Sequence, residues 1–328
     1  EANADYDKEK ENAELKWYIY DFARTIKNKN QKPQKTITKT EKPNFKNSDL
    51  KKYIPTKNNY IPRNIYGTTD VKLLTLLYEN RNNTEIVKKY PLIIGETGCG
   101  KTHLLRNLAY REKIPYIRVN LNGASTVEDL VGQWLPNPES NGAKYIWIDG
   151  WLPKLMKNGG FLVIDEINMA EADILAILNS VTDDEQRLIL TQKNGEIITA
   201  HKDFWIGFTM NPEYEGTKPL NQALKDRLKV ITHNYSTKVE AKLGINKKII
   251  TIAEQLRASK EIYTPVSTRD LIDYNGNIKI FGEPISRAFF INNFNDVTEQ
   301  KVVEEVFKLV IDGKKPEKEV EDNNGGGI

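Results

Sequence analysis

Runs of large apolar residues recur through the middle of the chain. The most compact is Phe161-Leu162-Val163-Ile164, set between Gly159-Gly160 and Asp165-Glu166. Four such residues in a row suit a strand buried on both faces, as in a parallel sheet. Comparable runs lie at 91–94, 116–121, 205–209 and 229–232. Between them the period changes: Ile174, Ile177, Leu178 and Val181 share one side of a helix. Ser125 with Glu128 makes a capping-box pattern that opens another helix near Thr126. Alternation of this kind from about residue 53 to 233 predicts an α/β fold, a parallel sheet flanked by helices. Beyond Asn234 the pattern turns mostly helical, with Ile249, Ile252, Ala253 and Leu256 as one stripe and Val302, Val303, Val306 and Val310 as another. Near the start, Leu15, Tyr18, Ile19 and Phe22 are spaced for a short helix. The expected segments are therefore 1–52 (N-terminal helix and lysine-rich arm), 53–233 (α/β domain), 234–315 (smaller helical domain) and 316–328 (flexible tail).

Composition changes this picture in a few places. A chain of 328 residues is long enough for a substantial core, and a net charge of +3 does not by itself imply a polyanionic partner. From Arg24 to Lys57, however, lysines recur and Glu41 and Asp49 are the only acids, amid Asn, Gln, Thr and Pro. That segment reads as a tether or an arm. Cys99 is the only cysteine, which excludes an intrachain disulfide and a zinc site of several thiolates. A reducing, cytoplasmic setting is the natural expectation. No apolar run reaches the length of a bilayer span, and the N-terminus lacks the apolar core of a signal peptide.

The candidate chemistry begins just after "YPLII". "GETGCGKT", Gly95 to Thr102, fits G-x-x-x-x-G-K-[ST], with an apolar strand before it and a helical pattern after it. Gly95, Gly98 and Gly100 permit a loop whose backbone N–H groups converge on phosphate oxygens. Lys101 is placed to reach the β- and γ-phosphates and Thr102 to offer a hydroxyl to Mg²⁺. Cys99 fits there sterically and suggests sensitivity to thiol reagents. With this loop upstream, Asp165 reads as the strand-end acid that holds Mg²⁺, directly or through water, and Glu166 as the carboxylate that orients and deprotonates the attacking water. On their own, the two acids could equally face water or begin the next helix. Asn211, after the strand run in "WIGFTMNP", can hydrogen-bond both a γ-phosphate oxygen and that water, although an isolated Asn-Pro is usually a turn.

"GETGCGKT", "FLVIDEIN", "FTMNP", "ALKDRL" and "STRD", in that order, resemble an AAA+ ATPase, over roughly residues 60–311. Within that superfamily the chain is similar to the MoxR branch of the dynein-related subfamily, which includes the CbbQ/NorQ-type activators and the gas-vesicle ATPase GvpN. The resemblance implies ATP and Mg²⁺ as cofactors and an α/β core carrying a helical lid. It implies a nucleotide-contacting set of Gly95, Glu96, Thr97, Gly98, Cys99, Gly100, Lys101, Thr102 and His103. Ile65 and Tyr66 would line the adenine pocket. Arg227 in "LKDRL" matches the arginine finger that reaches a neighbouring subunit's ATP, with Leu228 where the family often has Phe. Arg269 in "STRD" matches the second sensor arginine, acting within the subunit or across the interface. Asn120 would be a polar switch communicating with Glu166.

Two insertions fit the same resemblance. "ILTQKNGEIITAHKDF" is a hairpin around Asn194-Gly195. "GQWLPNPESNGAKYIWIDGWLPKLM" is similar to the insert in the family's second helix. In related rings both insertions project toward the pore or partner surface, so Trp147 and Trp151 of this insert and Lys193 of the hairpin are candidate partner contacts, unless the tryptophans only pack the insert on its own domain. The function implied is an oligomeric ring, a hexamer, that remodels or activates a client protein, often beside a protein with a von Willebrand factor A domain. Alternatives are a nucleic-acid motor or defence-system subunit using the basic arm, and a nucleotide-dependent assembly protein.

Overall fold

The computed structural model describes residue 45 and residues 49–137, 144–212 and 220–313. The helix expected near the N-terminus, most of the lysine-rich arm and the C-terminal tail lie outside the described residues. In chain order, β1 (Asn64–Ile65) and β2 (Thr68–Thr69) pair antiparallel and lead into α1 (Asp70–Glu79), whose first turn is closed by the Thr69 hydroxyl accepting from Lys72 N. β3 (Tyr90–Ile94), α2 (Lys101–Glu112), β4 (Tyr116–Asn120) and α3 (Val127–Val131) follow. A first hairpin, β5 (Gly132–Pro136) with β6 (Tyr145–Asp149), precedes α4 (Trp151–Asn158), β7 (Gly160–Asp165) and α5 (Ala172–Thr182). A second, β8 (Arg187–Leu190) with β9 (Glu196–Thr199), precedes β10 (Phe204–Met210), the one-turn α6 (Gln222–Lys225) and β11 (Leu228–Thr232).

Five of these strands form one sheet in the order β11-β3-β10-β7-β4, every neighbouring pair parallel. The fold class is the one the alternation predicts. β7 is buried along its whole length and β10 along all but its last residue, which is why both read as unbroken apolar runs. Phe161 and Trp205, paired across these strands, stack with ring centroids 4.9 Å apart. β4 is the edge strand and alternates in burial, leaving Arg118 and Asn120 exposed.

The start of α3 differs from expectation by one residue. Thr126 is the cap: its hydroxyl accepts from Asp129 N, while the Asp129 carboxylate accepts from Thr126 N at 2.9 Å. The Ser125 hydroxyl instead accepts from Asn122 N at 3.0 Å, inside the preceding turn, and is not free to cap. The second hairpin forms around Asn194-Gly195, with a longer loop than the pair alone. Leu190 pairs with Glu196, so five residues form the loop: a turn over Thr191–Lys193, then Asn194 and Gly195 at positive φ. The Asn-Gly pair closes this longer loop rather than forming a two-residue turn.

After His233 a second cluster of buried residues begins. α7 (Thr237–Lys242) leads into it, and it is built from α8 (Lys247–Ala258), α9 (Thr268–Phe281), α10 (Glu283–Ile291) and α11 (Val297–Phe307). Ile249, Ile252, Ala253 and Leu256 are all buried in it. Of the later stripe, Val303 is buried and Val306 and Val310 pack partly against the cluster. Its centre is aromatic: Tyr274 lies 5.4 Å from both Phe290 and Phe307. Rings of this size dominate a small core, each contributing roughly 2–3 kcal/mol of burial.

Candidate functional site

The site lies at the carboxyl ends of the parallel strands, where an α/β sheet opens a crevice. β3 delivers the loop 95–100, and Gly95 is a glycine for a packing reason: a Cβ there would run into the carbonyl of His233. Gly98 and Gly100 have φ of 66° and 100°, the left-handed region. A side chain at Gly98 would also meet Ser267 Cβ at 2.7 Å, so this loop is closely covered by the start of α9. α2 begins at Lys101 without a side-chain cap, leaving its first N–H groups directed at the loop. Thr97 contributes its carbonyl, which accepts from Tyr235 Oη at 2.7 Å.

Lys101 is largely buried and donates to Gly95 O (2.6 Å), Glu96 O (2.8 Å) and Asn211 Oδ1 (2.6 Å). Burial holds its ammonium below the usual lysine range, opposed by Cys99, Asp165, Glu96 and Glu166. Burial likewise keeps His103 below its ordinary value, with Arg106, Arg269 and Arg118 acting in the same direction. Cys99 corrects an expectation: its thiol is fully buried and burial pushes its pKa up, so it is shielded from thiol reagents. It lies 3.5 Å from His233 Nδ1.

Asp165 ends β7 and is 5% exposed. Its Oδ1 accepts from Thr102 Oγ1 at 3.3 Å and from the Thr209 hydroxyl. Its Oδ2 accepts from two nitrogens of Arg118, with Nε at 2.7 Å. Glu166 follows at φ 58° and ψ 48°, a conformation non-glycine residues seldom take, and its N–H donates to Thr209 Oγ1 at 3.3 Å. Asn211 lies between the two halves of the site. Its Oδ1 accepts from Lys101 and its Nδ2 donates to Glu166 Oε1 at 3.4 Å. Strand order explains this placement, because β10 lies between β3, which leads to the loop, and β7, which carries the acids.

Ile65 and Tyr66 line a cavity of about 450 Å³ with Pro62, Tyr235 and Val239, next to the loop. Arg269, in the first turn of α9, has its Cβ 3.6 Å from where a Gly98 side chain would begin. Arg227 is elsewhere: Leu228, the next residue, pairs with Tyr90 at the start of β3, at the opposite end of the strands from the loop. It donates to Ala223 O at 2.6 Å and sits 3.5 Å from Asp183. Asn120 pairs in register with Asp165 but makes no hydrogen bond with Glu166 among the described residues.

Trp151 packs edge-on to Tyr53 at 5.0 Å, and Lys193 is engaged by Glu196 at 2.7 Å and Asp149 at 3.6 Å. Trp147 donates to Asp149 Oδ1 at 2.7 Å. The more open indole is Trp134, 45% exposed, whose Nε1 donates to Gln192 O of the second hairpin.

Sequence reasoning missed Thr209, Arg118 and a buried network behind the loop. In that network the Tyr60 hydroxyl donates to Asp70 and meets His233 Nε2 at 2.9 Å, while Arg63 donates to the carbonyls of Cys99 and Asn234. An arginine inside the apolar run "YIRVNL" was the available signal for Arg118.

For a metal, the donors present are the Thr102 hydroxyl and the Asp165 carboxylate. No group of three or more His, Cys, Asp or Glu residues could hold an ion among the described residues. That fits Mg²⁺, which takes one or two protein oxygens and the rest from phosphate and water. No helix among the described residues is long and apolar enough to cross a membrane.

A glycine loop opening a helix, an acid at the end of a nearby strand and an asparagine strand between them define the core of a P-loop nucleotide-binding protein. Residues 91–228 match the family model described as AAA domain (dynein-related subfamily). An uncharacterized protein of Staphylococcus haemolyticus is 31% identical over 275 residues, covering 77% of this chain and 98% of that protein. Another, of Staphylococcus epidermidis, is 32% identical over 245 residues, covering 68% and 91%. The chain belongs to the AAA ATPases of the dynein-related subfamily.

Proposed function

We propose that the chain is a Mg²⁺-dependent ATP hydrolase of the MoxR type that works as an oligomeric ring, a hexamer, and remodels or activates a partner protein. The observation that carries this reading is Asn211, whose single side chain contacts Lys101 on one side and Glu166 on the other. A residue so placed links the phosphate-binding and water-activating groups. Glu166 then orients and deprotonates the water, with its carboxylate kept from the metal because Asp165 serves that role. Lys101 and the N–H groups of Gly95 to His103 hold the phosphates, and Ile65 and Tyr66 border the base. When bound, Mg²⁺ would neutralise charge on the phosphates, held by Thr102 and Asp165.

The position of Arg227 supports assembly. The length of β3 separates it from its own loop, about 15 Å at ~3.3 Å per residue, so it suits a finger for a neighbour's nucleotide. Arg269, beside Gly98, suits action within its own subunit, as part of a lid over 234–315. A von Willebrand factor A domain protein fits as companion by family resemblance alone. The nucleic-acid reading rests on the basic arm and is decided by the same test.

That test measures Mg-ATP hydrolysis and particle mass for the wild type and Glu166→Gln, with and without DNA. The expected outcome is turnover by the wild type, a stable ATP-bound ring in the variant, and no effect of DNA. A wild-type monomer without turnover, or turnover only with DNA, would sink the proposal.

A further inference from the structure

The residue the proposed chemistry leaves unused is Arg118. It projects from β4, the edge strand, with Arg118 in register with Val163 and Asn120 in register with Asp165. Its guanidinium therefore leans one strand over and two residues forward to place Nε and Nη2 on the same Asp165 oxygen. The other Asp165 oxygen is taken by Thr209 and Thr102. The pair is lopsided in environment: the Asp165 side chain is 7% exposed and that of Arg118 is 49% exposed. A buried carboxylate needs a cation or a full set of donors, whereas a half-exposed arginine loses little by turning into water.

We propose that Arg118 is a built-in counter-ion for Asp165, one that the metal arriving with the nucleotide displaces. The inference rests on Asp165 being the metal-binding acid. In the empty-handed chain Arg118 neutralises the carboxylate and keeps it from repelling phosphate. A metal held by Asp165, directly or through water, would compete with the two Arg118 N–H donors for that carboxylate oxygen. Arg118 is thus a positioning residue that sets how strongly nucleotide binding depends on metal. It lets nucleotide bind without metal better than an uncompensated Asp165 would allow, and it weakens the advantage that metal confers.

The experiment is equilibrium binding of a fluorescent ADP analogue, in excess Mg²⁺ and in EDTA, by wild type, Arg118→Gln and Arg118→Met. The readout is the ratio of the two dissociation constants, EDTA over Mg²⁺. Both neutral variants should raise this ratio at least tenfold, mainly by weakening binding in EDTA, and either variant alone decides the matter. A general loss of fit at the site would weaken binding equally with and without metal and leave the ratio unchanged, which overturns the inference. If the wild type binds the analogue under neither condition, the nucleotide-binding reading itself fails, an outcome distinct from an unchanged ratio.

Discussion

At the residue scale, His233 reaches furthest. It lies fully buried, and burial holds its imidazole below the ordinary value of 6.5 despite the Asp70 carboxylate 3.6 Å away, which favours the charged form. His103 is displaced in the same direction, burial being the main cause. The folded chain thus resists protonation of both, and the unfolded chain takes the protons first. Stability from these groups is complete above about pH 6.5 and is lost as pH falls below it, by up to about 1.4 kcal/mol per pH unit for the buried His233; His103 is exposed, so solvent screening makes its share small. Asp70, also held low, contributes its loss only below the ordinary carboxylate value of 3.8. Urea midpoints should therefore fall between pH 7.5 and 5.5, and fall less in His233→Gln. An equal fall in that variant would assign the effect elsewhere. This network was not legible in the sequence, because Tyr60 and His233 are 173 residues apart and only folding brings them together. The loop was legible because each of its conformations requires a particular residue type at fixed spacing: glycine at positive φ or against the His233 carbonyl, lysine and threonine at the helix start.

At the scale of elements, β7 and β10 could be read directly, since burial on both faces leaves no polar position to confuse the pattern. Helix starts were less certain, because Ser125 and Thr126 each have an acid three residues on and only the local turn decides between them. Where one box stands alone, as at Ser267 with Asp270, its effect can be measured. The Ser267 hydroxyl accepts from Asp270 N and its N–H donates to Asp270 Oδ2, fixing the start of α9 against Gly98. Ser267→Ala should cost about 1 kcal/mol by chemical denaturation. It should also weaken nucleotide affinity more than Thr126→Ala, whose helix caps away from the loop. Equal affinities in the two variants would show that α9 does not hold the site closed. The hairpins belong here too: Trp134 reaching Gln192, and Lys157 bridging Asp149 and Glu196, tie both insertions into one unit. Contacts between two separate insertions leave no periodic trace in either.

At the scale of the whole molecule, strand order places Asn211 between Lys101 and Glu166, and the parallel register of β11 with β3 leaves Arg227 at the far end of the strands. The sequence indicated parallel strands but not their order, because order depends on crossovers that periodicity does not record. On the proposed role of Arg227 as a finger for a neighbour's nucleotide, the site should be complemented by a second copy. Lys101→Ala retains Arg227, and Arg227→Ala retains the loop, so each alone should hydrolyse ATP about a thousandfold more slowly than wild type. Mixed, they should recover a measurable part of the wild-type rate. No recovery from stable mixed oligomers would show that Arg227 does not act on a neighbour's nucleotide.

The buried thiol of Cys99 has a practical side as well. Because it is the chain's sole cysteine and its side chain is buried within the loop, the molecule presents no reactive thiol at its surface. A cysteine introduced at the tip of either hairpin or on the outside of α10 would be the single site taking a dye or spin label. Distances between subunits and hairpin movement during turnover could then be followed by spectroscopy without first removing a native residue.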